Sequence, residues 1–303
     1  MTRWLVTGAA GMLGQDLAEV LAGRLGAPGS DRAGHRALTL ASRADLDLTD
    51  EDAVAQAVQG HDVVVNAAAW TDVDGAETDE AGATAVNGAG VRSLARACQA
   101  AGARLLHVST DYVFDGSGTA PYAEDASTDP VNAYGRSKLA GERAVLELLP
   151  RSGYVVRTAW LYGAHGPNFV STMLRLERER DTVDVVDDQL GQPTWSRDLA
   201  ERLVALGESG APAGVYHGTN SGATTWFGLA RAVFALVGAD PDRVHPTTSD
   251  RFPRPAVRPA YSVLGHGGWA RAGLPPMRYW DAALADGLAA IRQEPAPAAG
   301  SRA

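Results

Sequence analysis

A strand-like run, Trp4-Leu-Val-Thr7, passes directly into Gly8-Ala-Ala-Gly11-Met-Leu-Gly14 and then into a helical pattern spanning Met12 to Leu25. This junction constrains the fold more than any other feature of the chain. Glycines there permit a tight turn, let the backbone approach a pyrophosphate, and allow a helix to pack closely on a strand. The free N–H groups and the dipole at the helix start then face an anion. The spacing is G-x-x-G-x-x-G rather than G-x-G-x-x-G, but the strand–turn–helix setting predicts a dinucleotide site at Gly8, Gly11 and Gly14.

The strand–helix alternation continues beyond this junction. Ala37–Ala41, Asp62–Asn66, Arg104–Ser109 and Tyr154–Arg157 read as strands. A helix start at Thr49–Asp52 and helices over Val86–Ala101 and Tyr134–Leu149 lie between them. Units of this size predict an α/β fold: a Rossmann-type doubly wound parallel sheet covered on both faces. After about residue 160 the pattern loosens. Helices are expected at Asn168–Arg180, Asp198–Leu206, Phe227–Val237 and Asp281–Ile291, a short strand at Asp184–Asp187, and an extended Pro- and Arg-rich loop at Thr248–Tyr261. The expected division is a dinucleotide-binding domain over 1–160 with a returning segment near 190–225. A smaller C-terminal α+β substrate domain takes 161–190 and 226–292, and a disordered tail takes 293–303. Residues 26–35 read as a Gly/Pro/Asp loop.

Composition narrows the partners. A net charge of -9 disfavours nucleic acid. One cysteine, Cys98, allows neither an intrachain disulfide nor a cysteine zinc site. No apolar run is long enough for a membrane span and no signal peptide is evident, so a cytoplasmic location is expected. Of the 27 basic residues only one, Lys138, is lysine. It sits four residues after Tyr134, and residues four apart share a helix face. A phenol is a weak acid at neutral pH, and a neighbouring ammonium is expected to lower its pKa toward the working range. The same ammonium suits a ribose better than a planar guanidinium would.

The run His107-Val-Ser-Thr110-Asp111-Tyr112 ends a strand where open α/β sheets place their sites, and a hydroxyl there can bond a substrate carbonyl. The second strand ends Ala41-Ser42-Arg43. An Arg at this place accepts a 2′-phosphate, so NADPH is expected over NADH, although Asp45 and Asp47 stand nearby.

Thr-Gly-x-x-Gly-x-x-Gly with Tyr-x-x-x-Lys resembles the extended short-chain dehydrogenase/reductases. Longer strings are similar to the dTDP-4-dehydrorhamnose reductase family, in order from about residue 3 to 290. They are Asn66-Ala-Ala-Ala-Trp-Thr-Asp-Val-Asp-Gly-Ala-Glu77, Ser109-Thr-Asp-Tyr-Val-Phe-Asp-Gly116, Tyr134-Gly-Arg-Ser-Lys-Leu-Ala-Gly-Glu142, Arg157-Thr-Ala-Trp-Leu-Tyr-Gly163, Val186-Asp-Asp-Gln-Leu-Gly-Gln-Pro-Thr194 and Arg258-Pro-Ala-Tyr-Ser262, with Asn168-Phe-Val between. The resemblance implies NADPH-dependent (or NADH-dependent) reduction of the C4 carbonyl of a dTDP-linked 4-keto-6-deoxy sugar. Tyr134 would be the proton donor, Lys138 its partner and ribose ligand, and Thr110 the hydroxyl beside the carbonyl. Gly11, Met12 and Leu13 would line the pyrophosphate turn, and Asp47, Leu48, Ala67, Ala68 and Ala69 would line the adenine and ribose side. Asp111, Tyr112, Trp160 and Asn168 would meet the sugar, and Arg258 the diphosphate. The chain departs from the family at Met12, where Gln is usual. It departs again at Arg197, where some members carry an acid that binds Mg2+ at a dimer contact and where Asp16 would match a second ligand; a monomer without metal is therefore expected. Alternatives are a dTDP-dihydrostreptose synthase or another antibiotic-sugar ketoreductase, an epimerase or dehydratase of the superfamily, and a noncatalytic subunit like the one that binds methionine adenosyltransferase.

Overall fold

The computed structural model describes residues 2–25 and 37–293. The first half builds β1 (Trp4–Thr7), α1 (Met12–Leu25), β2 (Leu38–Ala41), α2 (Glu51–Val58) and β3 (Val63–Asn66). Then come α3 (Gly75–Thr78), α4 (Glu80–Thr84), a π-helical turn at Ala85–Gly90, α5 (Val91–Ala101), β4 (Arg104–Thr110), α6 (Ala133–Leu148) and β5 (Gly153–Thr158). The second half holds β6 (Leu161–Tyr162), α7 (Phe169–Glu179), β7 (Val183–Val186), β8 (Leu190–Gly191), β9 (Thr194–Trp195) and α8 (Ser196–Glu208). It closes with β10 (Gly214–His217), β11 (Thr224–Thr225), α9 (Trp226–Leu236), β12 (Val244–Thr247), α10 (Gly267–Arg271) and α11 (Trp280–Gln293).

Six strands pair in the order β10-β5-β4-β3-β1-β2, all parallel. The order reverses between β1 and β3, which is where such sheets open a crevice beyond the strand C-termini. The pleat explains the two cores. Trp4 and Val6 of β1 join α1 and α8 on one face, while Leu5 joins α2, α5 and α6 on the other. Cys98 is buried in that second layer. A third cluster, with Val170, Met173, Leu229, Phe234, Val244 and Leu284, is the core of the C-terminal part.

Several local features depart from the sequence pattern. The π turn interrupts the helix expected over 86–101, and α3 and α4 form in a stretch with no helical signal. β12 pairs with β7 despite Pro246, which an edge strand tolerates. The 248–261 loop is not extended throughout; it begins with a 3-10 turn at Ser249–Arg251. The loop expected at 26–35 and residues 294–303 of the expected tail lie outside the described residues. Among the described residues no helix is long and apolar enough to cross a membrane, and no group of three or more His, Cys, Asp or Glu could hold a metal ion.

Candidate active site

The crevice at the reversal is shaped by absent side chains. Gly8 has φ 71°, and a Cβ there would lie 2.6 Å from Ala68 N and 2.7 Å from Ala67 C. A Cβ on Gly14 would strike Gly8 O at 2.2 Å. β1, the turn and the segment after β3 therefore meet backbone to backbone. Ala67, Ala68 and Ala69 are half-buried along this wall, and Gly11 is exposed at the start of α1. A backbone cradle with methyl walls fits a flat, anionic dinucleotide. Leu13 is turned into the core, which leaves only its backbone for a ligand, and Met12 packs near Gly163. The strand ends are fixed by a buried chain. Thr7 Oγ1 donates to Asn66 Oδ1 at 2.7 Å, and Asn66 Nδ2 meets His107 Nδ1 at 3.0 Å.

A substitution series tests the cradle. Gly8→Ala is expected to lower NADPH affinity more than about tenfold, because a left-handed alanine that also meets backbone must displace the turn. Gly102 has φ 69° with open space around its missing Cβ. Gly102→Ala should lower stability by about 1 kcal/mol and leave NADPH affinity alone. Equal affinity losses in both variants, measured by fluorescence titration, would remove the case for a cradle.

At the far end of β2 the polar groups are engaged locally. Ser42 N and Oγ both donate to Asp45 Oδ2 (2.9 and 2.6 Å), and Asp47 Oδ1 accepts from Thr49 N at 2.9 Å and Thr49 Oγ1 at 2.8 Å. Arg43 is exposed beside them, and Leu48 is buried against Gly90 at the end of the π turn.

Helix α6 carries the Tyr–Lys pair. Asn132 caps it by accepting from Gly135 N at 2.8 Å and also donates to Val257 O at 2.9 Å. Gly135 allows the helix onto the turn after β4, since a Cβ there would sit 2.2 Å from Tyr112 O. Thr110, the last residue of β4, accepts from Tyr112 N at 3.1 Å and donates to Asp111 Oδ1 at 3.0 Å, and its hydroxyl opposes the rise of the Tyr134 phenol's pKa. The Tyr112 and Tyr134 rings meet edge-on at 5.9 Å.

The electrostatics depart from the sequence expectation. Lys138 is buried and its Nζ donates to Val108 O at 2.7 Å. Burial pulls its ammonium down to about 8, with Glu142 opposing. The Tyr134 phenol is pushed up rather than down, by burial first and the Asp111 carboxylate second, with Thr110 opposing. The reason is physical: a buried phenolate loses its solvation beside a carboxylate, and Lys138 is tied to a carbonyl. The phenol is thus protonated at neutral pH, the state a proton donor requires. Burial also raises Asp111 to about 6, against the Ser262 and Thr110 hydroxyls.

A cavity of about 630 Å³ adjoins this point. Tyr112 lines it together with, among others, Phe169, Gln189, Trp226, Phe252, Arg254 and Arg258. Arg258 Nη2 pairs with Asp74 Oδ2 at 3.0 Å, and exposed Arg254 approaches the same oxygen at 3.8 Å. Two cations thus face one carboxylate. Asn168 does not point to a ligand role: it caps α7 by accepting from Ser171 N at 2.9 Å, and its amide donates to Gly163 O at 2.9 Å. Near the place where an acid was expected, Arg197 pairs with Glu19 at 2.8 Å, and Ser196 donates to Asp16.

Sequence reading missed several groups that build this region. Buried Asn87, in the π turn, accepts from Trp70 N at 2.9 Å and donates to Ser137 Oγ at 2.9 Å, tying the segment after β3 to α6. Asp74 and Glu77 lie within a string already singled out, but their partners, Arg258 and Ala133 N, are distant in sequence. Trp226 carries no local signal at all.

The parallel sheet, glycine crevice and Tyr–Lys helix define an α/β nicotinamide-dependent oxidoreductase of the extended short-chain type. The chain belongs to the dTDP-4-dehydrorhamnose reductase family: the family model described as RmlD substrate binding domain matches residues 2–293. It is 59% identical over 295 residues to dTDP-4-dehydrorhamnose reductase of Streptomyces griseus, covering 95% of this chain and 94% of the relative. It is 55% identical over 284 residues to dTDP-4-keto-6-deoxy-D-glucose reductase of Streptomyces niveus, covering 93% and 95%. The crystal structure of the Bacillus anthracis dTDP-4-dehydrorhamnose reductase in complex with NADP superposes with a TM-score of 0.86 at 36% identity, covering 95% of this chain and 99% of that one.

Proposed function

We propose that this chain reduces the C4 keto group of a dTDP-4-keto-6-deoxy-L-sugar, with dTDP-4-dehydrorhamnose as substrate and dTDP-L-rhamnose as product. The observation that carries this reading is the placement of a protonated phenol, Tyr134, against Thr110 at the mouth of β4, on the helix that bears Lys138. The cradle at Gly8, Gly11 and Gly14 would hold the cofactor diphosphate on backbone N–H groups, and Ala67–Ala69 would flank its adenosine side. Lys138 would leave Val108 O to bond the ribose. When bound, NADPH supplies the hydride that reduces C4. Tyr134 hands its proton to the oxygen at C4, so that no charged alkoxide is left in a buried site. Thr110 bonds the same oxygen and steadies the phenolate left behind. Asp111, Tyr112 and Trp160 contact the sugar, and Arg258 with Arg254 faces the diphosphate.

The divided architecture suits this role: a dinucleotide-binding part over 1–160, rejoined by β10, and a substrate part around the third core. A free cytoplasmic enzyme acting as a monomer, on a soluble nucleotide sugar and not on nucleic acid, is consistent with the acidic chain. The Streptomyces niveus relative, named for a D-glucose-derived ketone, supports a second reading in which the sugar is a 4-keto-6-deoxy-D-hexose.

We assign the NADPH preference to Arg43, the exposed cation at the end of β2. Arg43→Ala should raise KM for NADPH about tenfold or more, since a charge-assisted bond to phosphate is lost, and should leave KM for NADH unchanged. Parallel steady-state assays with both cofactors check this. A KM for NADPH that does not move would return the preference to other groups.

A further inference from the structure

Asp74 stands directly before α3, where an aspartate commonly caps the helix, yet its side chain makes no cap bond. Asp72 serves that turn instead, accepting from Gly75 N at 2.9 Å. The Asp74 carboxylate reaches across to the segment 254–258. Its Oδ1 accepts from Ala256 N at 3.2 Å, and its Oδ2 pairs with Arg258 Nη2 at 3.0 Å and lies 3.8 Å from Arg254 Nη1. Arg258 Nη1 donates to Ala256 O at 3.0 Å, so both ends of its fork are held. Asn132 fixes the backbone between them by donating to Val257 O at 2.9 Å. Arg254 and Arg258 line the cavity, and Asp74 stands behind them, outside its lining. Asp184 and Asp250 also line it, but among the described residues neither pairs with these guanidiniums: Asp184 lies beside His245, and Asp250 accepts from Thr248.

Stability does not account for this arrangement. An ion pair that water reaches adds little to it, and Arg254, with 64% of its side chain exposed, has no other charged partner among the described residues. Burial works against ionisation of Asp74, but the Ala256 N–H and the two guanidiniums outweigh it and hold the carboxyl below its ordinary range. It is therefore an anion at neutral pH, and two cations around one anion leave a net positive charge on that wall. A free arginine loses rotamer freedom when it binds an anion, whereas one already held has lost it beforehand. We propose that Asp74 is a positioning residue for the substrate diphosphate: it holds Arg258 and draws in Arg254, so that an anionic side chain strengthens the binding of an anion. This rests on the assignment of those arginines to the diphosphate above. The sign of the effect is diagnostic. Through space alone a carboxylate beside the site repels a diphosphate, and its removal would tighten binding.

The test is calorimetric titration with dTDP, NADPH present, in the wild type, Asp74→Asn, Arg258→Ala and the double variant. Asp74→Asn keeps an oxygen for Ala256 N and removes the charge. It should weaken dTDP binding about fivefold, the cost of ordering long side chains at the moment of binding. Arg258→Ala should weaken it about tenfold or more. Adding Asp74→Asn to Arg258→Ala should cost less than about twofold further, because Asp74 acts through that guanidinium. With dTDP-4-dehydrorhamnose, KM in Asp74→Asn should rise by the same factor as the dTDP affinity falls, with kcat within about threefold, since the diphosphate is remote from C4. Asp74→Ser, a shorter uncharged acceptor, should lose a similar factor and serves if the amide variant folds poorly. Equal or tighter dTDP binding in the folded Asp74 variants overturns the proposal. So does a loss that persists undiminished in the Arg258→Ala background, which would place the effect of Asp74 elsewhere in the fold. If Arg258→Ala alone binds dTDP as the wild type does, the diphosphate assignment fails and the inference falls with it. If Arg258→Ala weakens dTDP binding while Asp74→Asn does not, only the inference fails.

Discussion

Tyr134→Phe is expected to lower kcat about a thousandfold while leaving NADPH affinity within about twofold of wild type. General acid catalysis contributes roughly 10²–10⁴-fold, and of the two protonated phenols near the end of β4, Tyr112 and Tyr134, it is Tyr134 whose hydroxyl meets that of Thr110 on the helix bearing Lys138. Asp111 is the nearest competitor, but its carboxyl titrates near 6 and is an anion at neutral pH. The substitution removes one hydroxyl and keeps the ring that packs edge-on against Tyr112, so the fold has no reason to change. The measurement is single-turnover NADPH oxidation, with cofactor binding titrated separately. A variant that retains a tenth or more of the rate would show that the proton comes from elsewhere.

Glu142→Gln is expected to lower the melting temperature by about 5–8 °C and to change the pH profile. Glu142 Oε2 lies 2.7 Å from Arg157 Nη2, and the two side chains are 1% and 4% exposed. Arg157 also donates to Glu124 O at 3.3 Å and lies over the Phe114 ring at 5.0 Å. Breaking such a pair leaves a buried guanidinium without its counter-charge, which costs about 3–5 kcal/mol. A 303-residue chain, at about 2.1 cal/mol/K of unfolding entropy per residue, loses roughly 1.6 °C per kcal/mol. The second effect arises from spacing. Glu142 is one helical turn beyond Lys138 and raises its pKa, while burial holds it down to about 8. Without that carboxylate the ammonium loses its proton at a lower pH. The alkaline fall of kcat should therefore begin at lower pH in the variant. A melting temperature within about 2 °C of wild type, or an unmoved alkaline limb, would contradict this.

The features legible in the sequence are the local ones. Thr7 to Gly14 carries its own strand–turn–helix logic, and α1 begins and ends where the periodicity places it. Tyr134 and Lys138 share a helix face by spacing alone. The features hidden from the sequence are set by contacts across the chain. The upward shift of Tyr134 comes from burial and from Asp111 on another element, so the four-residue spacing points to the wrong sign. Asn168 carries a residue type that suits either a ligand or a cap, and only its bonds to Ser171 and Gly163 reveal the cap. Asp74 and Arg258 are far apart in sequence, and so are Trp160 and Trp226, so no window contains both members. The π turn at Ala85–Gly90 has no periodicity to betray it, yet it delivers Asn87 to Ser137.

Net reduction of a dTDP-4-keto sugar is the activity on which every role given to Tyr134, Thr110 and Lys138 depends. The purified chain is incubated with NADPH and dTDP-4-dehydrorhamnose, consumption of cofactor is followed, and the product is assigned by NMR. One NADPH should be oxidised for each dTDP-L-rhamnose formed. Conversion without net loss of NADPH, or no conversion across a panel of dTDP-4-keto-6-deoxy sugars, would contradict it.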